Sequence, residues 1–327
     1  MKSCFIYEGE SAPTKSCHAP AVVELANGDI LCAWFGGEYE GSPDSSHYYA
    51  VYSVKSQQWS DPEVLSEVPD CGAGNPRLIY DAKGVLWAIL PINDGEWCNG
   101  GTKFYYRTSP DNGQTWSEQV HVQELDHLLG KNKPLLLTDG RILTPTTHEM
   151  TKSSIPLFLY PDRAAWLQSA PITIPGEKRC IQPSFTPLPG GRLLAFLRNG
   201  TGRIWQTWSE DNGMTWRTPE KTDLKHNDSG IDLLSLQSGK LVLVFNDTDE
   251  KKRTPLKLVI SEDNGKTWVN EIVLEDEEGE FSYPAIIQSR DGMIHCVYNY
   301  IDRPRYFWGA SGTHIKHVIL KENDFYV

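Results

Sequence analysis

One eight-residue motif occurs three times, as SPDNGQTW (Ser109 to Trp116), SEDNGMTW (Ser209 to Trp216) and SEDNGKTW (Ser261 to Trp268). Asp-Asn-Gly is tight-turn chemistry: the carboxylate accepts from nearby backbone N–H groups, and glycine takes a positive φ. The pattern S-x-D-N-G-x-T-W therefore reads as a stapled hairpin turn whose Trp packs against the hairpin, not as a catalytic box. A second, looser repeat runs between the boxes. Six segments read strand, glycine turn, strand: PAVVELANGDILCAWF from Pro20, PRLIYDAKGVLWAIL from Pro76, PLLLTDGRILTPT from Pro134, PSFTPLPGGRLLAFLR from Pro183, GIDLLSLQSGKLVLVFN from Gly230 and PAIIQSRDGMIHCVYN from Pro284. Their turn glycines are Gly28, Gly84, Gly140, Gly191, Gly239 and Gly292, 48–56 residues apart. Trp59 and Trp166 carry the beat of the box tryptophans through the gaps.

Units of about 50 residues with four short strands each predict an all-β, six-bladed β-propeller with four-stranded antiparallel blades. The last unit lacks one strand, which the segment near Ser3 to Tyr7 can supply. No linker composition interrupts the repeat, so one domain over 1–327 is expected. The 11 Trp, 14 Tyr, 27 Gly and 21 Pro suit a turn-rich β fold.

Lys and Arg total 31 against 43 Asp and Glu, a net charge of −12. That disfavours a nucleic-acid surface, which would be basic. No apolar run is long enough to span a membrane. The start MKSCFIYEGE lacks the apolar stretch of a signal peptide, and the seven cysteines form no CxxC pair. Reduced thiols and a cytoplasmic location are expected. Cys32 and Cys296 lie in apolar runs and read as small core residues. No motif implies a metal, a nucleotide or another cofactor.

Topology restricts where chemistry can lie. In an up-and-down blade the boxes join the third and fourth strands, so they fall on the face opposite the start of the first strand. Candidate site residues thus precede each inner hairpin or follow its second strand. The former include His18, Asn75, Lys131, Lys133, Gln182, Asn227, Asp228 and Tyr283. The latter include Glu38, Glu40, Asp44, Asp94, Glu96, Trp97, His148, Glu149, Arg198, Asn199, Asn246, Asp247, Arg303 and Arg305. Polar groups beside a buried run are partly desolvated, which is unfavourable unless they find partners. Together they describe a polar, cation-bearing cup in an acidic shell.

The boxes match the Asp-box, or bacterial neuraminidase repeat, and the chain resembles the sialidase superfamily. The resemblance implies a carboxylate-binding arginine triad, a tyrosine nucleophile with an acidic partner, and an Asp acid/base. Tyr283 in FSYPAIIQ fits the nucleophile, and Asp44 in EGSPD the acid/base, with Glu40 in reserve. His18-Ala19-Pro20 stands where the family has R-I-P, and HNDSGID offers Asn227 and Asp228 in place of the partner Glu. Asp247 stands near the place of a second triad arginine; Arg253, Arg198, Arg303 and Arg305 are cations able to substitute.

The sequence supports three functions. The first is a retaining hydrolase of a terminal acidic sugar, with Tyr283 as nucleophile, Asp228 as its base, Asp44 or Glu40 as acid/base and Arg198, Arg303 and Arg305 as the clamp. The second is a lyase cleaving rhamnose–glucuronate linkages by β-elimination, with His18, His148 or Tyr283 removing the proton. The third is a non-catalytic glycan-binding propeller with Trp97 and Trp308 as sugar platforms. The expected partner in each case is a glycan, acidic for the two enzymes.

Overall fold

The computed structural model describes residues 1–7, 12–95, 100–302 and 313–327. Among these the protein is built from β-strands, with two short 3-10 segments at Gln123–Leu125 and Glu322–Tyr326. Six antiparallel sheets of four or five strands follow one another along the chain. Their first two strands are the hairpins read from the sequence: Ser16–Glu24 with Ile30–Gly37, Arg77–Tyr80 with Leu86–Ile89, Leu135–Leu136 with Ile142–Thr144, Ile181–Pro187 with Leu193–Arg198, Asp232–Ser235 with Leu241–Asn246, and Glu280–Gln288 with Ile294–Ile301. Each turn glycine has a positive φ, between 80° and 93° for Gly28, Gly84, Gly140, Gly191, Gly239 and Gly292. In the sixth sheet Lys2–Phe5 pairs antiparallel with Thr313–Leu320, so the N-terminal strand completes the sheet of the C-terminal one.

Apolar clusters between consecutive sheets hold the structure together. Leu31 and Ala33 of the first sheet meet Leu78 and Leu86 of the second. Trp87 of the second meets Ile142 and Leu159 of the third. Leu143 and Phe158 of the third meet Phe185 and Ala195 of the fourth. Phe196 of the fourth meets Leu233 and Leu243 of the fifth. Val242 and Val244 of the fifth meet Ile286 and Tyr298 of the sixth. Ala285 and Val297 of the sixth meet Val22 and Trp34 of the first. The sequence of contacts returns to its start, so the sheets form a closed ring, and the second strands (ILCAWF, LLAFL, LVLVF) are apolar without alternation because both of their faces are covered. Cys32 and Cys296 are fully buried core residues. Among the described residues no helix is long and apolar enough to cross a membrane.

The three boxes sit between the third and fourth strands of the second, fourth and fifth sheets, and they share one hydrogen-bond pattern. Ser109 Oγ accepts from Gly113 N at 2.7 Å, while Asp111 accepts from Thr115 N at 2.8 Å and Thr115 Oγ1 at 2.6 Å. Ser209, Asp211 and Thr215 repeat it, as do Ser261, Asp263 and Thr267. The Asp263 carboxyl is drawn down to about 2: partial burial works against this, but the bonds from Thr267 and Ser261 outweigh it. The sequence placed each box Trp on its own hairpin; Trp216 does stack on Phe185 of its own sheet, with ring centroids 5.0 Å apart, whereas the other two box tryptophans also reach the preceding sheet. Trp116 meets Tyr49 of the first sheet edge-on, with ring centroids 6.3 Å apart, and Trp268 meets Phe196 of the fourth at 5.7 Å. A Cβ on Gly213 would lie 2.7 Å from Leu143 Cδ2 of the third sheet. The boxes are staples between sheets.

Gly213→Ala should therefore destabilise the protein by about 1–3 kcal/mol, adding a clash to the strain of an alanine at φ +89°. Gly28→Ala provides the comparison, because at φ +93° its Cβ meets nothing within 4 Å. Chemical denaturation should show the larger loss for Gly213→Ala; equal losses would mean that only backbone strain matters at the box.

Candidate functional site

The first strands of three sheets begin with the same irregularity. Ala19, Gln182 and Tyr283 have φ of 53°, 48° and 53°. Each falls in a register shift, between His18 and Ala21, Ile181 and Ser184, and Ser282 and Ala285. Each also precedes a proline, where the steric rule favours an extended backbone. These residues are β-bulges held in a left-handed conformation, a strained state that recurs at functional sites. Bulging re-aims a side chain relative to the strict alternation of a strand. Here it leaves Gln182 and Tyr283 at one cavity.

That cavity, of about 450 Å³, opens on the face where the first strands begin. Its walls include Asn75, Asn93, Thr102, Thr147, Lys152, Arg179, Gln182, Arg198 and Tyr283, with Ile92, Leu129 and Ile181 as apolar surface. Arg198, the last residue of Leu193–Arg198, is its electrostatic centre. Its Nη1 donates to Tyr283 Oη at 3.0 Å and to Gln182 Oε1 at 2.9 Å, and its Nε donates to Asp228 Oδ1 at 2.9 Å. Arg179 Nη1 binds the other oxygen of Asp228. Burial works against the Arg198 charge, yet Tyr283 and Asp228 beside it hold its pKa above the ordinary value. Behind them lies His226, buried between the carbonyls of Asn199 and Ser229 at 3.2 and 2.9 Å, its pKa lowered to about 4 by burial and by Arg198.

A second constellation flanks Tyr283. The His18 ring lies 4.2 Å from the Tyr283 ring, centroid to centroid. Ala19 N–H can only donate, and it bonds Asn299 Oδ1 at 3.0 Å, so the Asn299 amide group is free to donate to His18 Nδ1. That assigns the proton of a neutral imidazole to Nε2, which faces Glu40 Oε1 at 3.4 Å. On the far side, Arg253 lies 5.4 Å above the Tyr283 ring centroid and pairs with Glu280 at 2.6 Å.

Thus the structure brings together Tyr283, Arg198, Gln182, Asn75, Asp228, His18 and Glu40. Asp228 reaches Tyr283 only through the Arg198 guanidinium. Other expected residues lie elsewhere. Asp44 is exposed and accepts from Glu38 N–H at 3.2 Å. Lys131 is buried and donates to the carbonyls of Ile231 and Pro284, and burial lowers its pKa to about 7 against the pull of Asp232. Lys133 pairs with buried Asp232 at 2.9 Å. Asn246 bonds the carbonyls of Pro255 and Phe281, and Asn227 that of Lys252. His148 accepts from Met150 N–H in its own turn. Glu96, Trp97, Arg303, Arg305 and Trp308 lie outside the described residues.

Arg179, Lys152, Asn93 and Thr102 also line the cavity, and no repeat position points to them. They sit in excursions from the repeat, including the small sheet of Gly72–Ala73, Ile92–Asn93 and Thr102–Lys103. Thr102 is fixed there by buried Glu149, which accepts from its N–H at 3.1 Å and its hydroxyl at 2.8 Å. Among the described residues no group of His, Cys, Asp and Glu could hold a metal ion.

Comparison with known proteins agrees with this picture. A family model described as BNR repeat-like domain matches residues 28–296. An anhydrosialidase of Macrobdella decora is 24% identical over 246 residues, covering 66% of this chain but only 31% of that protein. The chain thus spans about a third of that relative. Among solved structures, a protein of unknown function from Dyadobacter fermentans superposes with a TM-score of 0.78 at 20% identity, over 98% of this chain and 97% of the other. The intramolecular trans-sialidase of Ruminococcus gnavus superposes with a TM-score of 0.79 at 14% identity, over 99% and 98%. The NanB sialidase of Streptococcus pneumoniae gives 0.81 at 12% identity, over 98% and 71%. At such identities these likenesses speak for the β-propeller fold. With its family match covering most of its length, the chain belongs to the BNR repeat-like domain family.

Proposed function

We propose that the protein is an exo-acting glycoside hydrolase that removes a terminal acidic sugar, on a six-bladed propeller occupying the whole of 1–327. The carrying observation is the charge of the cavity: Lys152, Arg179 and Arg198 line it, with no carboxylate among its described lining residues, in a chain of net charge −12. A guanidinium fork suits a sugar carboxylate. The volume of about 450 Å³ lies in the range of small-ligand sites.

In this reading the Tyr283 oxygen attacks the anomeric carbon as the glycosidic C–O bond breaks. The Arg198 cation, 3.0 Å from that oxygen, supports the negative charge that builds as the phenol proton passes to solvent in the open cavity. Glu40 or Asp44 protonates the departing oxygen, and water later cleaves the glycosyl–tyrosine bond with the same carboxylate as base. Glu40 is tied to Tyr283 through His18, whereas Asp44 serves the backbone of its own loop.

The His18–Tyr283 contact favours a second reading, β-elimination from a uronate. There one of the two removes the C5 proton while the cations hold the carboxylate, and a double bond forms as the leaving sugar departs. A panel of sialosides and uronic-acid glycans decides between the two. The expected result is a free acidic monosaccharide with no unsaturated product. An unsaturated, ultraviolet-absorbing product would replace hydrolysis with elimination, and binding without any product would make the protein a glycan-binding propeller.

A further inference from the structure

A register shift leaves backbone groups of the bulge without a ladder partner, and such groups must be satisfied elsewhere. In this ring the task falls to side chains from one short segment. Asn132 Nδ2 donates to the carbonyls of Gln182 and Pro183, both at 3.0 Å. Lys131 Nζ donates to the carbonyl of Pro284, the residue after Tyr283, and to that of Ile231 at 3.2 Å. Both donors are buried, with Lys131 at 3% exposure and Asn132 at 1%. Gly230 completes the cradle. A Cβ there would lie 3.2 Å from both Lys131 Cε and Tyr283 Cα, crowding the lysine stem against the tyrosine.

A charged lysine in the middle of a protein needs a strong reason, because burial penalises its charge and a leucine would pack as well. The other lysine of the segment, Lys133, has an ion-pair partner in Asp232. The Lys131 Nζ instead spends its bonds on two carbonyls, one of them within the bulge that gives Tyr283 its φ of 53°.

We infer that Lys131 is a positioning residue for Tyr283: with Gly230 it fixes the strained 283–284 bulge and so sets the direction of the phenol oxygen toward Arg198. The inference rests on the reading of Tyr283 as the reacting group. It explains why a cation that sequence reasoning assigns to the substrate points away from the cavity and into the ring.

The test compares Lys131→Met and Gly230→Ala with wild type, Tyr283→Phe and Gly213→Ala, on whichever acidic glycoside the panel shows to be turned over. Lys131→Met should lower kcat at least tenfold and leave KM within about threefold, since none of the cavity cations is altered. Gly230→Ala, a smaller perturbation that keeps the fold if Lys131→Met does not, should lower kcat in the same way. Gly213→Ala, on the opposite face, should lose stability without losing kcat at a temperature where it remains folded, which separates positioning from instability. If kcat of folded Lys131→Met and of Gly230→Ala stays within twofold of wild type while Tyr283→Phe is inactive, the inference is overturned and the role of Tyr283 stands. If Tyr283→Phe keeps wild-type turnover, the reading of Tyr283 falls and the positioning role falls with it.

Discussion

Tyr283→Phe should lower turnover of an acidic glycoside by at least about 10³-fold while leaving the fold and the affinity for an acidic sugar nearly unchanged. The separation is expected because the substitution removes one atom with one assigned task. The ring keeps its packing against Ala19, Phe35 and Ala73 and its contact with His18. Phenylalanine takes no more strain from φ 53° than tyrosine does. The lost bond is the one from Arg198 Nη1, and that guanidinium retains Gln182 and Asp228 as partners. The stability loss should therefore be about 1 kcal/mol, the ordinary contribution of one hydrogen bond. Product release measured beside calorimetry and sugar binding checks all three quantities. Wild-type turnover would remove the nucleophile of the hydrolase scheme and leave His18 as the base of an elimination.

The ring was legible in the sequence because its units repeat and its turns use chemistry that few other backbones need. Glycine at positive φ and Asp-Asn-Gly boxes are local signals, so they could be read without knowing their neighbours. Which neighbour a box Trp meets is not local, and the reading that kept Trp116 on its own hairpin missed Tyr49 of the preceding sheet. The site divides in the same way. Tyr283, Gln182 and Arg198, which the structure brings to one cavity, flank inner strands at fixed places in the repeat. Lys131 and Lys133 satisfied the same rule and yet face the ring, since side-chain direction depends on strand parity and a bulge resets it. The dipeptides Ala19-Pro20, Gln182-Pro183 and Tyr283-Pro284 gave no warning, because the residue before proline ordinarily stays extended. Arg179 lies in an irregular segment outside any period, and only the folded chain brings it to Asp228.

Arg198→Lys tests whether the charge or the geometry of this cation matters, and a loss in kcat/KM of about 10²-fold is expected. A lysine keeps the positive charge but has one nitrogen, whereas Arg198 addresses three acceptors from two: Nε on Asp228, and Nη1 on Gln182 and Tyr283. No single ammonium can replace that fork, so the variant must abandon at least one contact. Asp228 keeps Arg179, and no carboxylate is left buried without a cation, so the fold should persist. The informative comparison sets the acidic glycoside against its neutral methyl ester. If Arg198 also meets the sugar carboxylate, the variant loses more on the acid than on the ester and its discrimination falls. If both substrates lose equally, Arg198 serves Tyr283 alone, and the carboxylate belongs to Arg179 and Lys152, which share the cavity wall. Unchanged kcat/KM on both would remove Arg198 from either role and with it the electrostatic argument for Tyr283, which rests on the bond from Arg198 Nη1 to that oxygen.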